Sequence, residues 1–132
     1  MPAAVLVSPS NVPAGGGTLV QDVNVEGEDE ITVIGTLGPT AAAASDVSVS
    51  VQPYLADNEA TDKGNGPTLA DAGLDLVQTT IYPGVAAYLN ATDHIARVMV
   101  RVDVKGFSKV RLVLKNNNAT TALPARLDYF YR

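Results

Sequence analysis

Cysteine is absent from this 132-residue chain, so neither a disulfide nor a thiolate metal site is open to it, and it tolerates either redox compartment. Tryptophan is also absent and phenylalanine occurs twice, which leaves few aromatic platforms for stacking on a sugar ring. Basic residues are in the minority. Nine Lys and Arg against fourteen Asp and Glu give a net charge of −5 and a pI near 4.6. That field repels phosphate backbones, so a nucleic-acid partner is not expected. No apolar run approaches the roughly 20 residues that span a bilayer, so no membrane partner is expected either. Met1–Val7 lack the basic start and long apolar stretch of a secretory leader, and the chain reads as soluble and made in the cytoplasm.

What is abundant is Val, Thr, Ala, Gly and Asn, with eight prolines. β-Branched residues suit a pleated surface, and Gly, Pro and Asn supply turns between strands. The clearest element runs from Ile95 to Lys105. Its even positions are Ala96, Val98, Val100, Val102 and Val104; its odd positions from 97 are Arg97, Met99, Arg101, Asp103 and Lys105. A period of two puts one face on a core and the other in water, whereas a helix would spread the valines around its circumference. Gly106-Phe107-Ser108 then turns the chain into Lys109–Lys115, where Val110, Leu112 and Leu114 alternate. The two segments predict a hairpin with Gly106 at a left-handed position. Asn116-Asn117-Asn118 is the next turn, because Asn tolerates left-handed angles and hydrogen-bonds its own main chain. Beyond Pro124, Leu127, Tyr129 and Tyr131 alternate with Arg126, Asp128, Phe130 and Arg132, which completes an expected three-stranded meander.

The first half repeats the pattern. Val47, Val49 and Val51 alternate with Ser48, Ser50 and Gln52, and Thr18–Val25 and Glu30–Leu37 read as a second hairpin around the turn Glu26-Gly27-Glu28-Asp29. Leu74–Tyr82 predicts a strand stopped by Pro83-Gly84, Val85–Leu89 fits a short strand or a helical turn, and Ala41–Ala44 have room for one helical turn. Ala3–Val7 read as a short edge strand set off by Pro9, Pro13 and Gly15-Gly16-Gly17. The fold expected is all-β, an antiparallel β-sandwich or jelly roll of about eight strands. Residues 1–17 are expected as an N-terminal arm and hinge and residues 18–132 as a single β-sandwich domain. The break Ala56–Gly73 is long for a compact domain, and such loops usually carry function or move.

No group of residues converges on a reaction. His94 is the only histidine. A general base needs a nucleophile and an orienting carboxylate, and Asp93, next in sequence, would point to the opposite face of a strand. His94 therefore reads as a loop residue just before a strand. Asp57, Asn58, Glu59 and Asp62, with Asp71 and Asp75 beyond, offer the oxygen ligands calcium takes, but at spacings that match no calcium-binding loop. A solvated loop accounts for them. Glu26, Glu28, Asp29 and Glu30 read as solubility and edge protection. Tyr54, Tyr82, Tyr88, Tyr129 and Tyr131 are accounted for by packing with the hydroxyl reaching water. Asn90-Ala91-Thr92 and Asn118-Ala119-Thr120 match the N-glycosylation tripeptide. No catalytic residue, cofactor or metal ligand is expected.

The stretch Val104-Lys105-Gly106-Phe107-Ser108-Lys109-Val110-Arg111-Leu112-Val113-Leu114-Lys115-Asn116-Asn117-Asn118, closing on Leu127-Asp128-Tyr129-Phe130-Tyr131, resembles small virion proteins of tailed bacteriophages. In these a strand and a GF-K-V-R turn lead through an Asn-rich turn to an aromatic last strand. The resemblance covers about the last 40 residues. It implies a capsid decoration, or cement, protein: a non-enzymatic β-sandwich, often a homotrimer, on the virion surface and in contact with the major capsid protein. Val5, Leu6 and Val7, in the N-terminal arm, are the expected partner-binding residues, since an extended segment can add a strand to a neighbour's open edge. The alternative is a carbohydrate- or receptor-binding β-sandwich from a tail fibre or cell surface.

Overall fold

The structure, a computed structural model, describes residues 5–39, 44–53, 78–88 and 94–132. The strands are β1 (Val5–Val12), β2 (Gly17–Asn24), β3 (Glu30–Leu37), β4 (Val47–Pro53), β5 (Gln78–Tyr88), β6 (His94–Asp103), β7 (Lys109–Asn116) and β8 (Leu123–Tyr131). A single 3₁₀ turn, Ala44–Asp46, leads into β4. Among the described residues no helix is long and apolar enough to cross a membrane. Every ladder is antiparallel. A five-stranded sheet has the order β1-β8-β3-β6-β5 and a three-stranded sheet the order β2-β7-β4.

That order has a simple origin. Let the chain form one long hairpin with β1 to β4 in one arm and β5 to β8 in the other. The rungs are then β1 with β8, β2 with β7, β3 with β6 and β4 with β5. Rolling the ribbon into two layers lays β8 beside β3 and β7 beside β4, which is a jelly roll. The first three rungs and both roll contacts are present. The fourth rung is replaced: β5 pairs with β6 at the end of the larger sheet. Residues 54–77 separate β4 from β5, so no tight turn obliges those two strands to pair.

The expected hairpins are therefore sheet-crossing arches. β6 and β7 follow one another but lie in different sheets, as do β2 and β3, and β8 returns to the larger sheet, so the C-terminal three strands form no meander. The period of two identifies a strand and its buried face, and says nothing about which strand lies beside it. The arches carry their own signature. Val25 and Val104, inside the two connections, have no solvent exposure, whereas hairpin tips project into water. The arches also hold each other: the Val25 N–H donates to the Ser108 carbonyl at 2.9 Å, and the Val104 N–H to the Asp29 carbonyl at 2.9 Å. Gly106 adopts φ +92°, the left-handed position expected of it.

Two further expectations change. β5 continues through Pro83-Gly84 to Tyr88, with register breaks between Thr80 and Tyr82 and between Tyr82 and Val85. An edge strand with bulges tolerates proline because no neighbour requires its missing N–H. β1 is longer than the short edge strand expected, runs past Pro9 with an irregularity between Val7 and Ser10, and is hydrogen-bonded along β8. The residue 13–17 connection is a tight turn from β1 to β2. The Gly15 and Gly16 N–H groups donate to the Asn118 and Asn116 carbonyls, both at 2.8 Å. Residues 5–12, 15 and 16 of the segment read as an arm and hinge are thus hydrogen-bonded to the sandwich.

The core lies between the sheets. Ile31, Val33, Leu37, Ala96, Val98, Val100, Val102, Leu123, Ala125 and Leu127 from the larger sheet meet Val23, Val47, Val49, Val51, Val110, Leu112 and Leu114 from the smaller. These are the alternate positions of each strand, as the pleat requires. Gly35 marks the closest approach. A Cβ there would lie 2.5 Å from Val49 Cγ2 and 3.1 Å from Leu114 Cδ1, so only glycine lets the sheets close at this point.

Candidate functional site

The outward face of the larger sheet carries two rows of side chains across β8, β3 and β6. Asp128, Ile34 and Met99 form one row, because Ile34 is in register with both Asp128 and Met99. Arg126, Thr36 and Arg97 form the next, for the same reason at Thr36. With Ile95 they line an open groove of about 420 Å³. That volume falls within the roughly 300–1,000 Å³ of small-ligand sites. Ile34, Met99 and Ile95 are half-buried and make the floor. The rim is polar. Arg126 donates through Nε to Asp128 Oδ2 at 3.0 Å and through Nη2 to Asp128 Oδ1 at 3.2 Å, a two-point ion pair along one strand. Arg97 is exposed and donates through Nε to the Thr36 hydroxyl at 3.2 Å. A guanidinium has five N–H donors, so Arg97 keeps others that no described residue engages.

One end of the sandwich is closed by a buried polar network. Asn116, with no solvent exposure, donates through Nδ2 to the Val12 carbonyl at 3.0 Å and the Thr121 carbonyl at 3.1 Å, and accepts the Asn118 N–H at 2.9 Å. The Asn118 side-chain oxygen accepts the Thr120 and Thr121 N–H groups at 3.1 and 2.9 Å, while its Nδ2 donates to Asp46 Oδ2 at 3.1 Å. Asn117 reaches the Ser45 carbonyl and the Ser48 hydroxyl. Asn116 and Asn118 thus make the local main-chain bonds expected of them, and the three asparagines together join β7 to β1 and to the start of β4. Asn118 is buried and its amide engaged, which closes that N-glycosylation tripeptide.

At the other end Glu30 accepts from Arg132 Nε at 2.6 Å and lies 3.6 Å from Arg101 Nε. Glu30 opens β3, a central strand, so its role is pairing across the sheet and not protection of an edge. The remaining acids of that turn, Glu26, Glu28 and Asp29, have no cation within ion-pair distance among the described residues. Tyr129 and Tyr131 stack at 6.5 Å on the inward side of β8. Burial, and then the charge of Tyr131 when ionised, raise the Tyr129 hydroxyl above its ordinary pKa.

Val5, Leu6 and Val7 lie on β1 opposite Tyr129, Asp128 and Leu127, and β1 is an outer strand of the larger sheet. His94 is the first residue of β6. Asp57, Asn58, Glu59, Asp62, Asp71 and Asp75, with Tyr54, Asn90 and Asp93, lie outside the described residues. Among the described residues no three of His, Cys, Asp and Glu gather as a metal site would need. The groove residues were not singled out in the sequence. A signal was present all the same: Ile95 and Met99 are apolar residues on the otherwise charged side of β6.

Two stacked antiparallel sheets in jelly-roll order define the chain as a β-sandwich. No family model matches it, and no curated protein sequence matches it. Among solved structures it shows a weak likeness to a viral capsid protein, in the crystal structure of the infectious bursal disease virus VP2 subviral particle. The identity is 11% and the TM-score 0.21, over 98% of this chain and 41% of that one. The chain thus spans less than half the length of that capsid protein, and a likeness at this score carries no argument about function.

Proposed function

We propose that the chain is a non-enzymatic structural virion protein, a capsid decoration protein that lies on an assembled shell and holds neighbouring major capsid subunits. The observation that carries this reading is the jelly-roll strand order, an architecture recurrent in viral capsid domains. Fold alone does not assign function. Here it joins the resemblance of residues 104–118 and 127–131 to small phage virion proteins. Outer strands suit the role as well: β1, with Val5, Leu6 and Val7, keeps one row of main-chain groups for a neighbouring strand. Copies repeated over a lattice turn a weak contact into firm attachment. The protein would act as a homotrimer, in contact with the major capsid protein, on the virion surface.

The test is co-sedimentation with shells assembled from the major capsid protein of the same genome. Saturable pelleting with the shells supports the reading, and a chain that stays in the supernatant at every ratio ends it. A second reading, a carbohydrate- or receptor-binding module, draws on the groove beside Arg97 and on the use of jelly rolls by lectins. Strong hits on a glycan array without shell binding would replace the first reading with the second.

A further inference from the structure

We infer that the groove on the outer face of the larger sheet is a docking site for a second copy of this chain, whose turn Glu26-Gly27-Glu28-Asp29 enters it and meets Arg97. The inference rests on the assembly proposed above and names the contact by which copies meet.

Charge complementarity carries it. The molecule is acidic, at −5, yet this groove sets an exposed Arg97 and a partly engaged Arg126 above an apolar floor of Ile34, Met99 and Ile95. Asp128 is the only acid among the described residues that line the groove, and Arg126 holds it with two hydrogen bonds. Arg97 has no carboxylate partner among the described residues. Across the molecule the reverse holds. Glu26 and Asp29 are exposed, Glu28 is half-buried, and none of them has a cation partner among the described residues. The turn is compact, with Gly27 at φ +80° and the Glu28 N–H donating to the Val25 carbonyl at 2.9 Å. It is thus pre-shaped to present carboxylates.

The two surfaces cannot meet within one molecule. Glu30, where the turn enters β3, and Thr36, in the groove, are on the same strand, six residues apart. At about 3.3 Å per residue they stand roughly 20 Å apart along a rigid strand. The contact is therefore made between copies, reciprocally in a two-fold pair or head-to-tail in a ring or filament.

Light scattering on the purified full-length chain, without shells, tests this at low and at high salt. The wild type is expected to associate with rising concentration, and less so at high salt, because exposed charges are screened. Arg97→Glu and Glu26→Lys/Glu28→Lys change surface side chains, and circular dichroism verifies that each variant keeps its β signal. Each alone should be monomeric. Mixed, they should re-associate at one to one, because each supplies the surface the other has lost. A wild type that stays monomeric throughout overturns the inference, as does association that Arg97→Glu leaves unchanged or a mixture that stays monomeric. Shell binding is measured separately, so a monomeric chain that still pellets with shells refutes this contact and leaves the proposed function standing.

Discussion

Asn118 shows how much one side chain holds together. Its amide bridges the Thr120 and Thr121 N–H groups to the Asp46 carboxylate, at a site with little solvent. Replacing Asn118 with Ala leaves two main-chain donors without this acceptor, and a buried polar group that loses its partner costs about 1–3 kcal/mol. Urea unfolding should report a loss in that range. Asn118→Asp sets a carboxylate against Asp46, so its midpoint should fall further at neutral pH. Tyr129 gives a second prediction. Its raised pKa means that the folded state favours the neutral phenol. The stability it contributes is whole below the unfolded value of 10.0 and is lost as pH rises through the folded one. Melting temperatures followed above about pH 10 should fall less steeply in Tyr129→Phe than in the wild type. The asparagines' bonds to their own main chain were legible in the sequence. Their bond to Asp46 was not, because it joins residues 72 positions apart.

At the scale of elements, alternation was enough to find the strands. Val98, Val100 and Val102 gave β6, and Val47, Val49 and Val51 gave β4, each with the correct face inward. Pairing was not legible. A turn such as Lys105–Ser108 serves equally to lay two strands side by side or to carry one over the other, and the choice is made by what else needs the core. Val104 and Val25 hint at the answer, being apolar residues beside polar turns. Gly35 supplies the prediction at this scale. Gly35→Ala forces Val49 or the sheets apart, and overpacking of this kind typically costs about 1–3 kcal/mol. The double variant Gly35→Ala/Val49→Ala should recover part of that loss in chemical denaturation, since it removes the atom that clashes.

At the scale of the molecule, the chain is a ribbon rolled into two sheets with β5 transferred from the smaller to the larger. Both sheets end in outer strands, β1 and β5 in one, β2 and β4 in the other. Val20 on β2 and Ile81 on β5 are large apolar residues left exposed, at 45% and 42%. Single exposed residues of this kind are ordinary; what counts here is their place on strands that are outermost among the described residues. A body tied together by its own arches and asparagine network, with outer strands open, is suited to lying against other subunits.

A protein that holds a shell together must make the shell harder to unfold, because whatever binds only the assembled state stabilises it. Calorimetry of shells with and without the chain measures this directly. The account predicts that the shell transition moves to higher temperature as the chain is added and stops moving once its sites are filled. A transition that stays in place while the chain is bound would contradict the structural role proposed here.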